Sequence, residues 1–78
     1  MKAGLLWYDD CPHKTLTMKV LEAARHYTHR HNQSPNICYV HPSAMGDNGT
    51  SSRVGQVDVK VGSSVLRHHF WIGVEEEE

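Results

Sequence analysis

Residues 15–31 read TLTMKVLEAARHYTHRH, and the periodicity of this stretch decides the fold. Leu16, Val20, Ala23, Ala24 and Tyr27 recur at the spacing of one helical face, while Lys19, Glu22, His26, His29 and Arg30 fall opposite. The spacing predicts a helix whose apolar stripe rests on a core. Arg25, His29, Arg30 and His31 gather near its C-terminal end, where cations offset the negative end of the helix dipole. Met18 and Leu21 lie off the main stripe and leave a small apolar flank open to a partner.

Upstream of the helix, AGLLWY at residues 3–8 reads as a strand with Leu5 and Trp7 on one face and Leu6 and Tyr8 on the other. Apolar residues on both faces are the pattern of an inner strand. Pro12, within DDCPH, forbids further ladder pairing at its own nitrogen and ends the element. Downstream, Pro35 marks a turn, and ICYVH at residues 37–41 is a second strand stopped by Pro42. Strand, helix and strand joined by short connections imply two parallel neighbours linked by a crossover. Residues 43–53 are rich in Ser, Gly, Asn and Asp and predict a surface loop. Val57, Val59 and Val61 then alternate with Gln56, Asp58 and Lys60, as in a half-exposed strand at a sheet edge. After a turn at Gly62, Ser63 and Ser64, the alternation of Phe70, Ile72 and Val74 with His69, Trp71 and Gly73 gives an inner last strand. The expected fold class is α/β (α+β): a β-α-β-β-β, mixed four-stranded sheet with one helix on one face. A single compact domain would span residues 1–74, with an acidic tail at residues 75–78.

A chain of 78 residues has one core, and it buries only roughly 60 to 65% of the surface its unfolded form exposes. Domains this small commonly rely on a metal, a disulfide or a partner subunit. The formal net charge is -1, and the run from Glu75 to Glu78 turns a weakly basic body acidic. Lys and Arg are scattered and not striped, so a dedicated nucleic-acid surface is not expected. The longest apolar runs, residues 37–40 and 70–74, fall far short of the ~20 residues a bilayer span requires. The N-terminus lacks a signal-peptide pattern. A cytoplasmic chain without membrane association is therefore expected, its Cys11 and Cys38 held as thiols. Seven histidines make the surface more cationic in mild acid, because free imidazole titrates near pH ~6.5.

In open sheets containing parallel strands, ligands sit beyond the strand carboxyl ends. That rule places Asp9, Asp10, Cys11 and His13 after the first strand and His41 after the second. An antiparallel last strand would bring His68 and His69 to the same edge. A set drawn from Asp9, Asp10, Cys11, His13, His41 and His68 could take zinc or another divalent ion. Cys38 lies three residues before His41, about 10 Å back along a strand, so it belongs to the core and not to a Cys2His2 set. The same spacing disfavours a Cys11–Cys38 disulfide. Cys11 with His13, His41 or His68 as base would make a Cys–His catalyst. No oxyanion glycine or orienting third group accompanies it, so no catalytic residue is assigned, no cofactor is implied, and a non-enzymatic role is the expectation. Asp9 and Asp10 equally suit a turn and helix cap.

Trp7, Tyr39, Phe70 and Trp71 at strand spacing could stack nucleobases, but core packing is the simpler use of them in so small a domain. One helix cannot cover both sides of a sheet with apolar inner strands. A second copy or a larger protein would then cover the remainder, with Tyr39, Trp71, Met18 and Leu21 as interface candidates. The reading is a small interaction module that self-associates or docks on a larger protein. Its alternatives are the metal or Cys–His site at the strand ends and weak nucleic-acid binding through the His/Arg helix face.

Overall fold

The structure, a computed structural model, describes residues 3–45 and 51–75. Its elements in chain order are β1 (Ala3–Tyr8), α1 (Leu16–His31), β2 (Ile37–Val40), α2 (Pro42–Met45), β3 (Ser51–Val54), β4 (Val57–Val61) and β5 (His69–Val74). The five strands form one mixed sheet in the order β1-β5-β2-β4-β3. It is the small α+β fold expected, with one strand more than the four read from the sequence.

Helix α1 follows its apolar period. Val20, Ala23 and Tyr27 are buried, and Leu16 and Ala24 pack against the same cluster. Thr15 caps the N-terminus by accepting the Met18 amide at 3.2 Å. Asn32 closes the other end in the left-handed region, φ 53°, its amide donating to Thr28 carbonyl at 2.8 Å. His29, Arg30 and His31 occupy the last turn, where the dipole favours them.

The helix covers one face of the sheet. Phe70 and Ile72 of β5, Cys38 and Val40 of β2, and Val57 and Val59 of β4 turn toward it and are all buried. Register explains the grouping, because Leu5 pairs with Ile72 and Trp7 with Phe70 across β1–β5, while Cys38 pairs with Ile72 and Val40 with Phe70 across β2–β5. Trp7 stacks on His26 of α1 with ring centroids 4.3 Å apart. Its indole Nε1 is buried without a hydrogen-bond partner among the described residues, a cost of about 1–3 kcal/mol that the packing of the ring must offset.

Four expectations are corrected. Strand β1 is an edge strand and not an inner one. Strands β1 and β2 are parallel but not neighbours, because β5 lies between them and pairs antiparallel with both. Within the expected loop at residues 43–53, residues 51–54 instead form β3, paired antiparallel with β4 through the two-residue connection Gly55-Gln56. Gly55 takes φ +60° there, the left-handed position a type II′ hairpin assigns to glycine. Strand β4 is consequently one place in from the edge. Residues 42–45 form α2, which begins on Pro42, where a missing amide costs nothing, and buries Met45 in the core. Residues 46–50 of the expected loop lie outside the described residues.

Phe70 sits on the covered face of β5, between β1 and β2, and is 2% exposed. Phe70→Ala is expected to cost about 3–5 kcal/mol in urea unfolding, comparable with the whole stability of a domain this size at about 0.05–0.15 kcal/mol per residue. Leu6→Ala, on the uncovered side, should change stability by under about 0.5 kcal/mol. Equal losses in the two variants would contradict the assignment of faces.

Candidate functional site

The strand-end residues do converge in the chain trace, as the antiparallel β5 requires. The Asp9 amide donates to His68 carbonyl at 2.9 Å, and the Tyr8 ring meets the His69 and His68 rings edge-on at 4.9 and 6.4 Å. Their functional groups, however, are taken up locally. Asp9, largely buried, accepts the Cys11 amide at 3.0 Å in an Asx turn and lies 3.4 Å from Lys14 Nζ. Lys14 also reaches Glu22 of α1 at 2.9 Å, so it ties the turn to the helix. Asp10 accepts the Tyr8 hydroxyl at 3.1 Å.

His41 serves as the cap of α2. Its Nδ1 accepts the Ser43 amide at 3.0 Å, and Ser43 Oγ lies 2.8 Å from the same atom. A backbone amide can only donate, so this geometry selects the neutral tautomer with hydrogen on Nε2. His69 Nδ1 sits 2.7 Å from the Arg67 carbonyl and must be a donor there. His13 is exposed. His68 adopts φ +62°, a left-handed turn into β5 that costs a non-glycine residue about 1–2 kcal/mol.

Among the described residues no three His, Cys, Asp or Glu side chains are placed to share an ion. The candidates Asp9, Asp10, Cys11, His13, His41 and His68 are thus near one edge without forming a ligand set. Both cysteines are free. Cys38 is fully buried in β2, and burial pushes its thiol up to about 12, which removes it as a nucleophile.

The side of the sheet opposite α1 has a different character. Register aligns Tyr8 with His69, then Leu6 with Trp71 and Tyr39, then Gly4 with Gly73 and Ile37, all on this uncovered face. Leu6 is 61% exposed and Tyr8 55%, while Trp71 and Tyr39 are half-buried with ring centroids 6.4 Å apart. Trp71 lies flat over Gly4. A Cβ built at Gly4 would come within 1.9 Å of the indole, so only glycine lets the ring settle on β1. Residues 62–68 rise beside this face and carry Leu66, 69% exposed. Leu6, Tyr39, Val65, Leu66, His69 and Trp71 line a groove of about 620 Å³ between loop and sheet.

At the far end of β5 the chain is fastened. Asn36 and Glu75 exchange backbone–side-chain bonds at 3.0 and 2.8 Å, and Tyr39 donates its hydroxyl to Glu75 Oε2 at 2.7 Å. That carboxylate raises the Tyr39 phenol above its ordinary range. Glu75, the first residue of the acidic run, is therefore part of the sheet's hydrogen-bonded structure.

Of the four interface candidates, Tyr39 and Trp71 come together on the uncovered face. Met18 and Leu21 stand apart from them on α1, each 50% exposed, and Leu21 borders a second cleft between α1 and the β3–β4 hairpin that also holds Pro35 and Val54. Leu6, Tyr8 and Leu66 were not singled out in the sequence. Their signals were the strand alternation that sets Leu6 and Tyr8 apart from Leu5 and Trp7, and the Val65–Leu66 pair in an otherwise polar turn.

No protein-family model, curated protein or solved structure matches the chain. No helix among the described residues is long and apolar enough to cross a membrane.

Asp9 gives a test of the strand-end assignment. The Cys11 amide and then the Lys14 ammonium hold its carboxyl below the ordinary value of 3.8. A depressed pKa contributes stability that is complete above the unfolded value and is lost as pH falls through the folded one. Asp9→Asn keeps the turn's acceptor and removes the charge. It should lower the melting temperature near neutrality, with the gap to the wild type closing below about pH 3. A gap of equal size in strong acid would show that the charge plays no part.

Proposed function

We propose that this chain is a small, non-enzymatic interaction module that works through the uncovered face of its sheet, by self-association or by docking on a larger protein. The observation that carries the reading is the side-by-side exposure of Leu6, Tyr8 and Leu66 around half-buried Trp71 and Tyr39. Single exposed apolar residues are ordinary on protein surfaces. A contiguous apolar and aromatic patch beside a groove is characteristic of a binding surface. Aromatic side chains supply large contact area at low entropic cost, and Tyr and Trp are the residues most often found at the energetic centres of interfaces.

The strand-end residues support no competing catalytic reading. Asp9 is engaged in a turn and His41 in capping, Cys38 is inert, and Cys11 has no hydrogen-bonded base among the described residues.

The reading is tested with a Leu6→Glu, Tyr8→Glu double variant, which alters exposed positions and should keep the wild-type circular dichroism spectrum. Light scattering should show self-association of the wild type, or an anilinonaphthalenesulfonate dye should bind its apolar face, and the double variant should lose whichever is present. A wild-type chain that stays monomeric and takes up no dye would argue decisively against an exposed interaction surface.

A further inference from the structure

We propose that the outer edge of β1 pairs with β1 of a second copy of this chain, antiparallel about a two-fold axis at Leu6, so that the two sheets join into one. The inference goes beyond the uncovered-face reading, because its bonds come from the backbone of an edge and not from the side chains of a face.

The phase of the hydrogen bonds along β1 is set at its end. The Asp9 amide donates to the His68 carbonyl at 2.9 Å, one step beyond the Tyr8–His69 pair of the register. Opposed residues in an antiparallel pair exchange backbone bonds only at alternate positions. Ala3, Leu5 and Trp7 therefore share the phase of Asp9 and bond to β5, while Gly4, Leu6 and Tyr8 turn their N–H and C=O groups outward. β1 ends the sheet order, and among the described residues no other element bonds to these outward groups.

The strand carries none of the sequence devices that ordinarily block an edge. It is six residues long, without charge or proline, and its register with β5 runs one to one without a bulge. β3, at the opposite end of the sheet order, has four residues and includes Arg53.

The strand is complementary to itself. An axis at Leu6 opposes Leu6 to Leu6 and Gly4 to Tyr8, so every outward N–H meets an outward C=O. An axis at Leu5 leaves Tyr8 unmatched within the strand, and one at Trp7 leaves Gly4 unmatched. The side chains suit the same register. Leu5 of each copy faces Trp7 of the other on the helix side. Tyr8 comes over Gly4, the position without a side chain, beside the Trp71 ring that already lies there. Because the strand holds no charge, self-pairing opposes no like charges along it. Such an isologous contact closes on itself and yields a dimer.

The experiment combines sedimentation velocity with amide hydrogen exchange on the full chain over a range of concentrations, and circular dichroism confirms that each variant is folded. The wild type should dimerise, and its Gly4, Leu6 and Tyr8 amides should exchange at least about tenfold more slowly at high concentration than at low. Leu6→Pro removes an outward amide, a change that edge strands tolerate, and should abolish the dimer. Leu6→Ala removes only the side chain and should hold the dissociation constant within about fivefold. Leu66→Glu alters the face and not the edge, and should keep the dimer. A dimer that survives Leu6→Pro overturns the edge pairing; if Leu66→Glu then dissolves it, the contact lies on the uncovered face and that reading stands. A dimer lost as fully in Leu6→Ala as in Leu6→Pro also overturns it, since the side chain and not the amide makes such a contact. A wild-type monomer whose outward amides exchange freely at every concentration overturns the second copy, and dye binding by that monomer decides the face reading separately.

Discussion

The structure depends on the insertion of β5 between β1 and β2. A strand–helix–strand unit on its own would leave two short parallel strands beside each other under one helix. β5 takes the place between them instead and satisfies the backbone of a strand on each side through antiparallel pairing. It also presents Phe70 and Ile72 to the helix and Trp71 to the opposite side. Both the core and the uncovered face are therefore organised by the same six residues, and their period of two assigns each side chain to one or the other. With one long helix among the described residues, the second of these faces has no helix packed on it there.

The parts that were legible in the sequence are the local ones. Helix α1 carried a consistent apolar period, a Thr cap and cations in its last turn, and all three act within a few residues of one another. The inner position of β5 was legible from its aromatic content. Strand β1 misled because Leu5, Leu6, Trp7 and Tyr8 are apolar on both faces, a pattern that an inner strand and an unprotected edge strand share. Which one applies is decided by a partner more than sixty residues away. β3 was missed for a different reason. Ser51, Ser52 and Arg53 have little strand propensity of their own, and they are held by pairing with β4 through a Gly55 turn, where a tertiary ladder overrides composition. On the site side, Tyr39 and Trp71 were legible as strand residues in want of cover. Leu66 was not, because its exposure depends on how residues 62–68 rise beside the sheet.

The cluster of Asp, Cys and His at the strand ends shows how residues capable of chemistry can be consumed by architecture. Pro12 and Pro42 interrupt the backbone just after β1 and β2, and chain reversals there leave amides that need acceptors. Asp9 answers one and His41 another, each with an atom that a metal or a proton transfer would otherwise require. His69 spends its Nδ1 hydrogen on the Arg67 carbonyl and so holds the entry to β5 in place. Topology brought these residues to one edge, as expected of strand ends in a mixed sheet, but convergence of backbones did not become convergence of free lone pairs.

The uncovered face is not uniform, and its gradient restricts where a partner can sit. Across the middle of the sheet, register reads Leu6, Trp71, Tyr39 and Lys60 from β1 toward β4. One row further down, Asp58 is paired with Arg53 of β3 at 3.2 Å in an exposed ion pair. Burying that pair would require desolvation of both charges, so the β3–β4 side is best left in water. The apolar half is the side formed by β1, β5 and β2, with Leu66 at its upper margin. Trp71 already rests on Gly4 there, which fixes the ring before any partner arrives and reduces the entropy lost on contact. A partner seated on this half is necessarily centred on β5, and so the strand that builds the core also carries the middle of the apolar surface opposite it.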